Sequence, residues 1–404
     1  MARNWLNEAA ARYDTCNRDA LEWILSRKPL ANGFLNTKVN SLTGEDYTQL
    51  SGLRGPDFTY GWIQGRGLEA LTTFAMHYRD TDVHLARQLE ERAYILFEAL
   101  SELHARDGHI YFLYNKDMEP VRSTSSNGST VPQSPAGEIY TYSDAFSAKG
   151  LISAAHIFDP ERLDQYFEYL HDVVAAIEAD RFQMDEGRVL GTASYESEAD
   201  DFGPRMILLG AAGVLHRADY AQGATFADRF IDDVLSRYTD QQSGLLLNVP
   251  GLDICNVGHA IEFCGFAFEH LKDRPEDPRI PTLTSILKRS LEVGLQGPGI
   301  ALSLSAKTGH ALSPHFPWWP MPEAVRACAL GLQFGADEHL FELWQQADLA
   351  FFSKYWQRTR CFAYQTRGVE GPVDFVPATP DLDPAYHTGL SLLAAINTIE
   401  DTDH

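Results

Sequence analysis

The run Val257-Gly-His-Ala-Ile-Glu-Phe-Cys-Gly265 places two polar side chains in an otherwise small and apolar segment. In a helix, residues three apart share one face, so the His259 imidazole and the Glu262 carboxylate would project together. Both groups are costly to bury without partners. The stretch therefore predicts an interior helix, and its histidine is either a hydrogen-bonded core residue or part of a functional site.

Segments of similar apolar character recur on both sides of this run. They lie at 62–80, 141–158, 203–218, 256–271, 318–335 and 385–399. They alternate with segments whose charges fall on one face, which is typical of half-exposed helices. Those segments lie at 5–28, 82–106, 160–181, 221–238, 279–295 and 338–357.

Short strand-like stretches follow most of the amphipathic segments, at 109–114, 186–192, 243–248, 299–305 and 360–365. A repeat of one buried and one half-exposed helix needs its neighbours to cover its apolar face. Six such pairs closed on themselves form an (α/α)6 barrel, an all-α toroid of about twelve helices. We predict this fold, with short β-hairpins at one end. An open helical solenoid is the alternative, and the recurrence of hairpins at a single end favours the barrel.

No low-complexity linker divides the chain, so we expect one catalytic domain over residues 1–404. The segment 122–130, rich in Ser and Thr, is too short for a linker. It is expected to be either a mobile loop over the inner ring or a plain surface loop.

The charge balance excludes several classes of partner. Lys plus Arg is 33 and Asp plus Glu is 56, which gives a formal net charge of −23. Such a surface repels phosphate backbones and anionic lipid, so we expect neither nucleic-acid nor membrane binding. The five cysteines form no CxxC pair, and neither a membrane span nor a signal-peptide core is visible. These features are typical of a reduced cytoplasmic enzyme.

Polar or aromatic side chains occur near the N-terminal end of every apolar segment. They are Gln64, Arg66, Tyr142, Asp144, Arg205, His259, Glu262, Trp318, Trp319, Glu323, Tyr386 and His387. A single buried polar group is more often structural than functional. Groups donated by six helices at the same end, however, should converge on one pocket, which favours a functional site.

These residue types suit carbohydrate chemistry. Two histidines on different helices can act as acid and base near neutral pH, and an arginine can stabilise negative charge that develops on oxygen. Tryptophans pack against the apolar face of a sugar, and carboxylates accept hydrogen bonds from hydroxyls. No phosphate-binding loop is present. His259 and Glu262 lack a third ligand at a recognisable spacing, so we predict no metal.

With these residues in view, the chain resembles the N-acylglucosamine 2-epimerase superfamily, which includes cellobiose 2-epimerases and mannose isomerases built on an (α/α)6 barrel. The resemblance covers most of the chain. It depends on Gly258-His-Ala-Ile-Glu262, Trp318-Trp-Pro-Met-Pro-Glu323, Tyr386-His387, Arg66, Tyr142-Ser-Asp-Ala-Phe146 and Gly203-Pro-Arg-Met206. The first two motifs together are fairly specific.

The resemblance implies roles for individual residues. His259 and His387 would form the acid–base pair, and Arg66 would stabilise an enediolate. Glu262 and Glu323 would support the histidines and the substrate, with Glu262 assigned to His259. The remaining candidates for substrate binding are Trp318, Trp319, Asp144, Tyr142, Arg205 and Gln64.

The sequence also departs from the family pattern at three places. Met321 and Pro322 replace the middle pair of a common Trp-Trp-x-Gln-Ala-Glu motif, and Ile207 stands where a histidine often follows the methionine. The segment after His387 lacks the usual nearby basic residue. These changes leave the substrate more open than the reaction type.

We therefore predict a cofactor-independent epimerase or isomerase that acts at C2 of an unphosphorylated aldose of the mannose, glucose, fructose or N-acylglucosamine type. One alternative is a glycoside hydrolase on the same barrel, with a carboxylate pair drawn from Asp144, Glu262 and Glu323. A non-catalytic helical-repeat protein that binds a sugar or a partner is the other. The sequence leaves the oligomeric state open, with a homodimer as the candidate assembly.

Overall fold

The computed structural model describes residues 2–124, 129–185, 187–191, 200–376 and 378–401. The α-helices in these ranges follow the predicted alternation closely. They are α1 (Ala2–Ser26), α2 (Gly61–Tyr78), α3 (Val83–Asp107), α4 (Tyr142–Phe158), α5 (Leu163–Glu178), α6 (Gly203–Arg217), α7 (Thr225–Arg237), α8 (Val257–Leu271), α9 (Ile280–Gly294), α10 (Pro320–Leu332), α11 (Glu338–Ala350) and α12 (Ser391–Asp401).

The even-numbered helices form an inner ring. Helices α2, α4, α6, α8, α10 and α12 pack against one another in chain order, and the turn Tyr386–Leu390 before α12 packs on α2 to close the ring. The odd-numbered helices lie outside, each against an inner helix, with α1 covering α12. The predicted (α/α)6 barrel is therefore confirmed, and the open solenoid is wrong.

The inner helices are apolar on most sides because they contact helices on both flanks and the outer ring behind. Their first residues all lie at the same end of the barrel, since each is preceded by a loop from the outer ring. The outer helices bury only one face, as their charged stripes predicted. Alternating amphipathicity thus encodes the two layers of the barrel.

Short strands decorate the loops. They are β1 (Thr59–Tyr60), β2 (Leu113–Tyr114), β3 (Val121–Ser123), β4 (Thr130–Pro132), β5 (Tyr140–Thr141), β6 (Phe182–Gln183), β7 (Leu295–Gln296), β8 (Gly299–Ile300), β9 (Phe316–Pro317), β10 (Trp356–Gln357), β11 (Phe362–Ala363), β12 (Thr366–Gly368) and β13 (Gly371–Pro372). They pair as β1–β2, β3–β4, β5–β6, β7–β8, β10–β11 and β9–β12–β13. All pairs are antiparallel except β5–β6.

The predicted strands are longer than the observed ones. Within 109–114, 299–305 and 360–365 only β2, β8 and β11 form, each two residues long. The strand predicted at 243–248 is wrong, because Leu246 makes just one isolated bridge, to Thr239. A short apolar run in a loop can be buried without pairing as a strand. Its composition then resembles that of a strand although no sheet forms.

Two predictions fall partly outside the described residues. The strand-like stretch 186–192 includes Glu186 and Thr192, which lie outside them, and no strand is assigned to 187–191. The Ser- and Thr-rich segment 122–130 runs from β3 to β4, which pair antiparallel, and its residues 125–128 lie outside the described ranges.

Two predicted helices differ at one end from their observed form. The segment 338–357 ends as helix α11 at Ala350 and continues as a π-helical turn over Phe351–Tyr355. The segment 385–399 opens with a second π-helical turn, Tyr386–Leu390, before α12 begins. Such turns occur frequently at functional sites, and the second one contains His387.

No helix in the described ranges combines the length and the apolar character needed to cross a bilayer.

Glycines bring α2 and α4 unusually close together. A Cβ atom built on Gly65 would lie 2.7 Å from the backbone carbon of Phe146, and one on Gly150 would overlap the carbonyl oxygen of Gly65. The obstructing atoms belong to helical backbone, which cannot rotate away. This tight contact fixes the separation of the two helices that carry Arg66 and Tyr142.

We expect Gly150→Ala to lower the free energy of unfolding by about 1–3 kcal/mol, because overpacking outweighs the higher helix propensity of alanine. Urea unfolding followed by circular dichroism measures the change. Gly335→Ala is the matched control, since no neighbouring atom lies within 4 Å of its added Cβ. Wild-type stability in Gly150→Ala would contradict the proposed helix contact.

Candidate active site

A cavity of about 290 Å³ opens where the inner helices begin. Residues from α2, α4, α6 and α8 line it, together with the segment before α10 and the turn before α12. Among the predicted site residues, its lining includes Arg66, Tyr142, His259, Glu262, Trp318, Trp319 and His387. The convergence of polar groups from separate inner helices on one cavity follows from the parallel arrangement of the inner ring.

His387 lies in a turn whose backbone is tightly held. The preceding Ala385 has a φ of 63°, in the left-handed region that a non-glycine residue rarely adopts. The Asp383 carboxylate accepts backbone N–H bonds from Tyr386, His387 and Thr388 at 3.0, 3.2 and 2.8 Å. Because these bonds compensate the unfavourable backbone, the imidazole is presented from a defined position.

A buried carboxylate orients the His387 ring. Its Nδ1 lies 2.8 Å from Oε1 of Glu323, and the other carboxylate oxygen accepts a bond from Arg326 Nε at 3.0 Å. Burial opposes ionisation of Glu323, but Arg326 and His387 outweigh it and lower the pKa of this carboxyl. With Nδ1 engaged, Nε2 is the ring nitrogen left for a ligand in the cavity.

Glu262 lies beside His387 and not in an ion pair with His259. Its Oε1 is 3.9 Å from His387 Nδ1 and has no hydrogen-bond partner among the described residues. Burial and the nearby negative charge of Glu323 raise the pKa of Glu262 to about 7. The assignment of Glu262 to His259 is therefore corrected: the spacing of three residues shares a helix face without joining the two groups.

His259 occupies a different environment. The Asn256 side chain accepts the His259 backbone N–H at 3.3 Å and so caps α8. The ring centroid lies 5.4 Å from that of Trp319, and Nδ1 is buried without a hydrogen-bond partner among the described residues. Burial lowers the pKa of His259, the positive charges of His387 and Arg66 add to this, and Asp201 opposes it. A neutral imidazole is thus favoured at neutral pH.

Arg66 reaches the cavity from the first inner helix, where aromatic rings hold its guanidinium. The central carbon lies 4.0 Å from the ring centroid of Phe146, 4.7 Å from Trp62 and 5.4 Å from Tyr386. Cation–π contacts of this kind hold a guanidinium in place. The arrangement gives the cavity one positive charge at a fixed place.

Asp144 does not line the cavity. Its carboxylate accepts bonds from the Thr141 and Ile110 backbone N–H groups at 2.8 and 3.2 Å and from the Tyr169 hydroxyl at 2.6 Å. The His109 ring lies 3.1 Å away. Asp144 therefore completes the capping box of α4 and holds the loop before β2, and its predicted substrate-binding role is corrected to a structural one.

Gln64 and Arg205 also lie outside the cavity lining. The Gln64 side chain exchanges two hydrogen bonds with the Leu35 backbone, at 2.7 and 3.2 Å, and is buried. Arg205 Nε pairs with Asp233 of outer helix α7 at 2.7 Å. On α6 it is Met206 and Ile207 that line the cavity. The predictions for Gln64 and Arg205 are corrected accordingly. Glu323 likewise does not line the cavity but supports His387 from behind.

Several lining residues come from loops that the helix pattern did not single out. They are Asn256, Gln365, Thr379, Asp381 and Asp383. Asp381 is itself buried and accepts bonds from Thr37 at 2.7 Å and from Lys38 at 2.8 Å. Two of these residues could have been recognised in the sequence. Asn256 and Asp383 are polar residues at capping positions shortly before the observed helical turns.

Among the described residues, Glu262, Glu323 and His387 form a group with one ligand atom each, all within 4.8 Å of one another. Arg326 already pairs with Glu323, and Arg66 contributes a further positive charge near Glu262. Both guanidinium groups oppose binding of a divalent cation. The group fits a proton-sharing cluster better than a metal centre, and the metal-free chemistry stays a prediction.

We expect Glu262→Gln to change the pH dependence of stability. The pKa of about 7 in the folded protein lies above the ordinary 4.5, so the folded state binds this proton more tightly than the unfolded chain does. The wild-type free energy of unfolding should therefore fall between about pH 4.5 and 7, by at most about 3 kcal/mol. The glutamine variant lacks this loss, so its stability relative to wild type should rise towards neutral pH.

Urea unfolding at pH 5, 6, 7 and 8 measures this difference. Glu91→Gln, on the exposed side of α3, controls for the removal of one carboxylate at the surface. Parallel stability curves for wild type and Glu262→Gln would contradict the raised pKa.

No family model and no curated relative matches the chain in sequence. Solved structures do match over nearly its full length. The cellobiose 2-epimerase from Bacillus thermoamylovorans B4167 has a TM-score of 0.74 at 16% identity, covering 97% of this chain and 99% of that chain. A D-mannose isomerase has a TM-score of 0.71 at 12% identity, with 96% and 98% covered. The α-1,6-mannanase GH76A from Salegentibacter sp. HEL1_6 has a TM-score of 0.53 at 10% identity, with 97% and 99% covered. The chain shares the barrel fold of these sugar-active enzymes, as the resemblance in its motifs implied.

Proposed function

We propose that the chain is a cofactor-independent sugar epimerase or isomerase that acts at C2 of an unphosphorylated aldose. The observation that carries this proposal is the pairing of two unlike imidazoles in one cavity. His387 has its tautomer set by Glu323, whereas His259 is held neutral by burial. Arg66 supplies the positive charge that an enediolate needs.

The proposed reaction begins with the open-chain sugar. Neutral His259 takes the C2 proton, the C2 electron pair moves towards C1, and the aldehyde oxygen becomes an enediolate oxygen that faces Arg66. Protonated His387 then donates from Nε2 to the opposite face of C2, which gives the 2-epimer. Delivery of a proton to C1, with transfer of the C2 hydroxyl proton to the C1 oxygen, gives the ketose instead. Running the reaction backwards exchanges the two roles.

Aromatic residues support sugar binding in this cavity. Trp62 and Trp318 line it, and the indole Nε1 of each is buried without a hydrogen-bond partner among the described residues. An unpaired buried donor is costly, so a ligand hydroxyl that accepts from it gains more than it would in water. The indole faces suit the C–H surface of a sugar ring.

The structural similarities support the same reaction class. Two of the similar structures are a cellobiose 2-epimerase and a D-mannose isomerase, and both cover almost all of this chain. The sugar itself stays open between glucose, mannose, fructose, N-acylglucosamine and a disaccharide. Ile207, Met321, Pro322 and the segment after His387 are the places at which this sequence departs from the family pattern, and Ile207 lines the cavity.

A glycoside hydrolase is the second candidate, because the α-1,6-mannanase shares the barrel at a lower TM-score. Such an enzyme needs two carboxyl groups that flank the scissile bond. Here Asp144 serves as a helix cap, and Glu323 lies behind His387 in contact with Arg326. Of these three carboxylates only Glu262 lines the cavity. Asp381 and Asp383 also line it, but the first bonds to Thr37 and Lys38 and the second to the backbone of the His387 turn, which disfavours hydrolysis.

Incubation in heavy water tests the proposal directly. We expect deuterium at C2, or at C1 of a ketose product, with at least one of glucose, mannose, fructose, N-acetylglucosamine and cellobiose. Proton NMR reports both the position and the rate of exchange. Release of reducing sugar from an α-mannan without deuterium incorporation would support the hydrolase, and absence of exchange with every sugar would sink the epimerase.

The histidines are tested by substitution. We expect His259→Asn and His387→Asn each to reduce the rate of epimer or ketose formation by at least about 100-fold, because each removes one partner of general acid–base catalysis. His339→Asn is the matched control, since His339 lies on outer helix α11 and pairs at the surface with Glu292. Near-normal formation of the epimer or ketose in either cavity variant would refute the two-histidine mechanism.

The homodimer and the cytoplasmic location stay predictions, as does the treatment of residues 1–404 as one catalytic domain.

A further inference from the structure

Lys149 is a charged residue that the proposed reaction does not use. It lies on inner helix α4 with its side chain fully buried, and its Nζ is 3.1 Å from Oε2 of the buried Glu69 on α2. The same Nζ donates a short hydrogen bond to the hydroxyl of Tyr386. Burial lowers the pKa of Lys149, and Glu69 opposes this shift.

Stability gives little reason for such a pair. Removing two charges from water costs several kcal/mol per ion, and replacement of a buried pair by apolar residues of similar volume is often neutral or stabilising. The surroundings of Lys149 would accept an apolar residue, because its Nζ lies within about 5.5 Å of the Phe146 and Phe266 ring centroids. The ion pair is therefore expected to serve something other than stability.

The contact of Lys149 with Tyr386 leads to the active site. Tyr386 directly precedes His387 and packs edge-on against Phe146, with ring centroids 5.6 Å apart. The Arg66 guanidinium lies against both of these rings. Displacement of the Tyr386 ring would thus move the turn that carries His387 and the aromatic surface that holds Arg66.

The turn also needs restraint from the Lys149 side. Ala385 has an unfavourable left-handed backbone, and such a conformation persists only where its surroundings enforce it. The Asp383 carboxylate accepts hydrogen bonds from the backbone N–H groups of the turn. At the far end of the Tyr386 side chain, Lys149 donates a hydrogen bond to the hydroxyl. Two anchors therefore act on one turn.

We propose that Lys149, balanced by Glu69, is a positioning residue that holds Tyr386 by its hydroxyl and so fixes His387 and Arg66 relative to each other. This inference rests on the proposed function. Proton transfer and enediolate stabilisation depend on the separation of these two groups, and a displacement of about 1 Å can cost about 100-fold in rate.

A double-mutant cycle tests the path through the hydroxyl. The first variant removes the ion pair as a unit, by Lys149→Met with Glu69→Gln, so that no charge is left unpaired. Tyr386→Phe is the second variant and keeps the ring but loses the hydroxyl. The third combines all three substitutions. Each protein is assayed for C2 exchange, and its unfolding is measured in parallel.

We expect kcat to fall by about tenfold or more in the first two variants while KM changes by less than about twofold. The combined variant should be no slower than the slower of the two, because both variants remove the same hydrogen bond between Lys149 and the Tyr386 hydroxyl. Unchanged kcat in Tyr386→Phe, or losses that multiply in the combined variant, would overturn the proposal. Tyr386→Phe decides the matter alone where the ion-pair variant does not fold.

A second measurement needs no activity. Nitrogen-15 NMR of the histidine rings, with His387 assigned through His387→Gln, should show the same change of the His387 signals in both variants. Asp348→Asn, which breaks the ion pair to Arg12 between outer helices, should leave these signals in place. If wild type exchanges no sugar, the proposed function fails, yet unchanged His387 signals in the variants would still separately refute the positioning role.

Discussion

The buried Glu323 carboxylate is the interaction on which the site depends. It stays ionised in an apolar interior because Arg326 and His387 both bond to it. Its charge has two consequences. It fixes the His387 ring so that Nε2 is the nitrogen available to a ligand, and it makes a second negative charge at Glu262 unfavourable. One ionised carboxylate thus sets the state of its two neighbours.

This cluster draws on parts of the chain that are far apart in sequence, and the barrel brings them together. Glu262 comes from α8, Glu323 and Arg326 from α10, and His387 from the turn before α12. Glu262, Glu323 and His387 lie in the first half of their inner elements, so closure of the ring through Tyr386–Leu390 and α2 is also what completes the site. The close packing of α2 on α4 through Gly65 and Gly150 places Arg66 in the same cavity.

Periodicity predicted the fold well, because a helix buried on all sides and a helix buried on one side differ plainly in composition. It predicted the site less well, since polar residues at the start of an inner helix serve two purposes. Asp144 begins its helix as a cap, whereas Glu323 begins its helix as the partner of His387. The prediction for Arg205 was wrong for another reason. When a helix is apolar on all sides, its sequence does not show which side faces the cavity, and a rotation by one residue points the Arg205 side chain towards Asp233 instead. Loop residues such as Asp381 carry no period at all, so their place at the cavity depends on tertiary structure.

The difference between the two histidines argues for their distinct roles. His387 is fixed at Nδ1 by the Glu323 carboxylate, whereas His259 has a buried Nδ1 without a partner among the described residues and is kept neutral by burial. The proposed epimerisation removes a proton from one face of C2 and adds one to the other face. It therefore needs one group that starts unprotonated and one that starts protonated. The local structure favours a neutral His259 before substrate binds, because burial and then the neighbouring His387 and Arg66 lower its pKa, which Asp201 opposes. In the proposed reaction, each turnover then reverses the protonation states of the two histidines, and they must be restored before the next turnover.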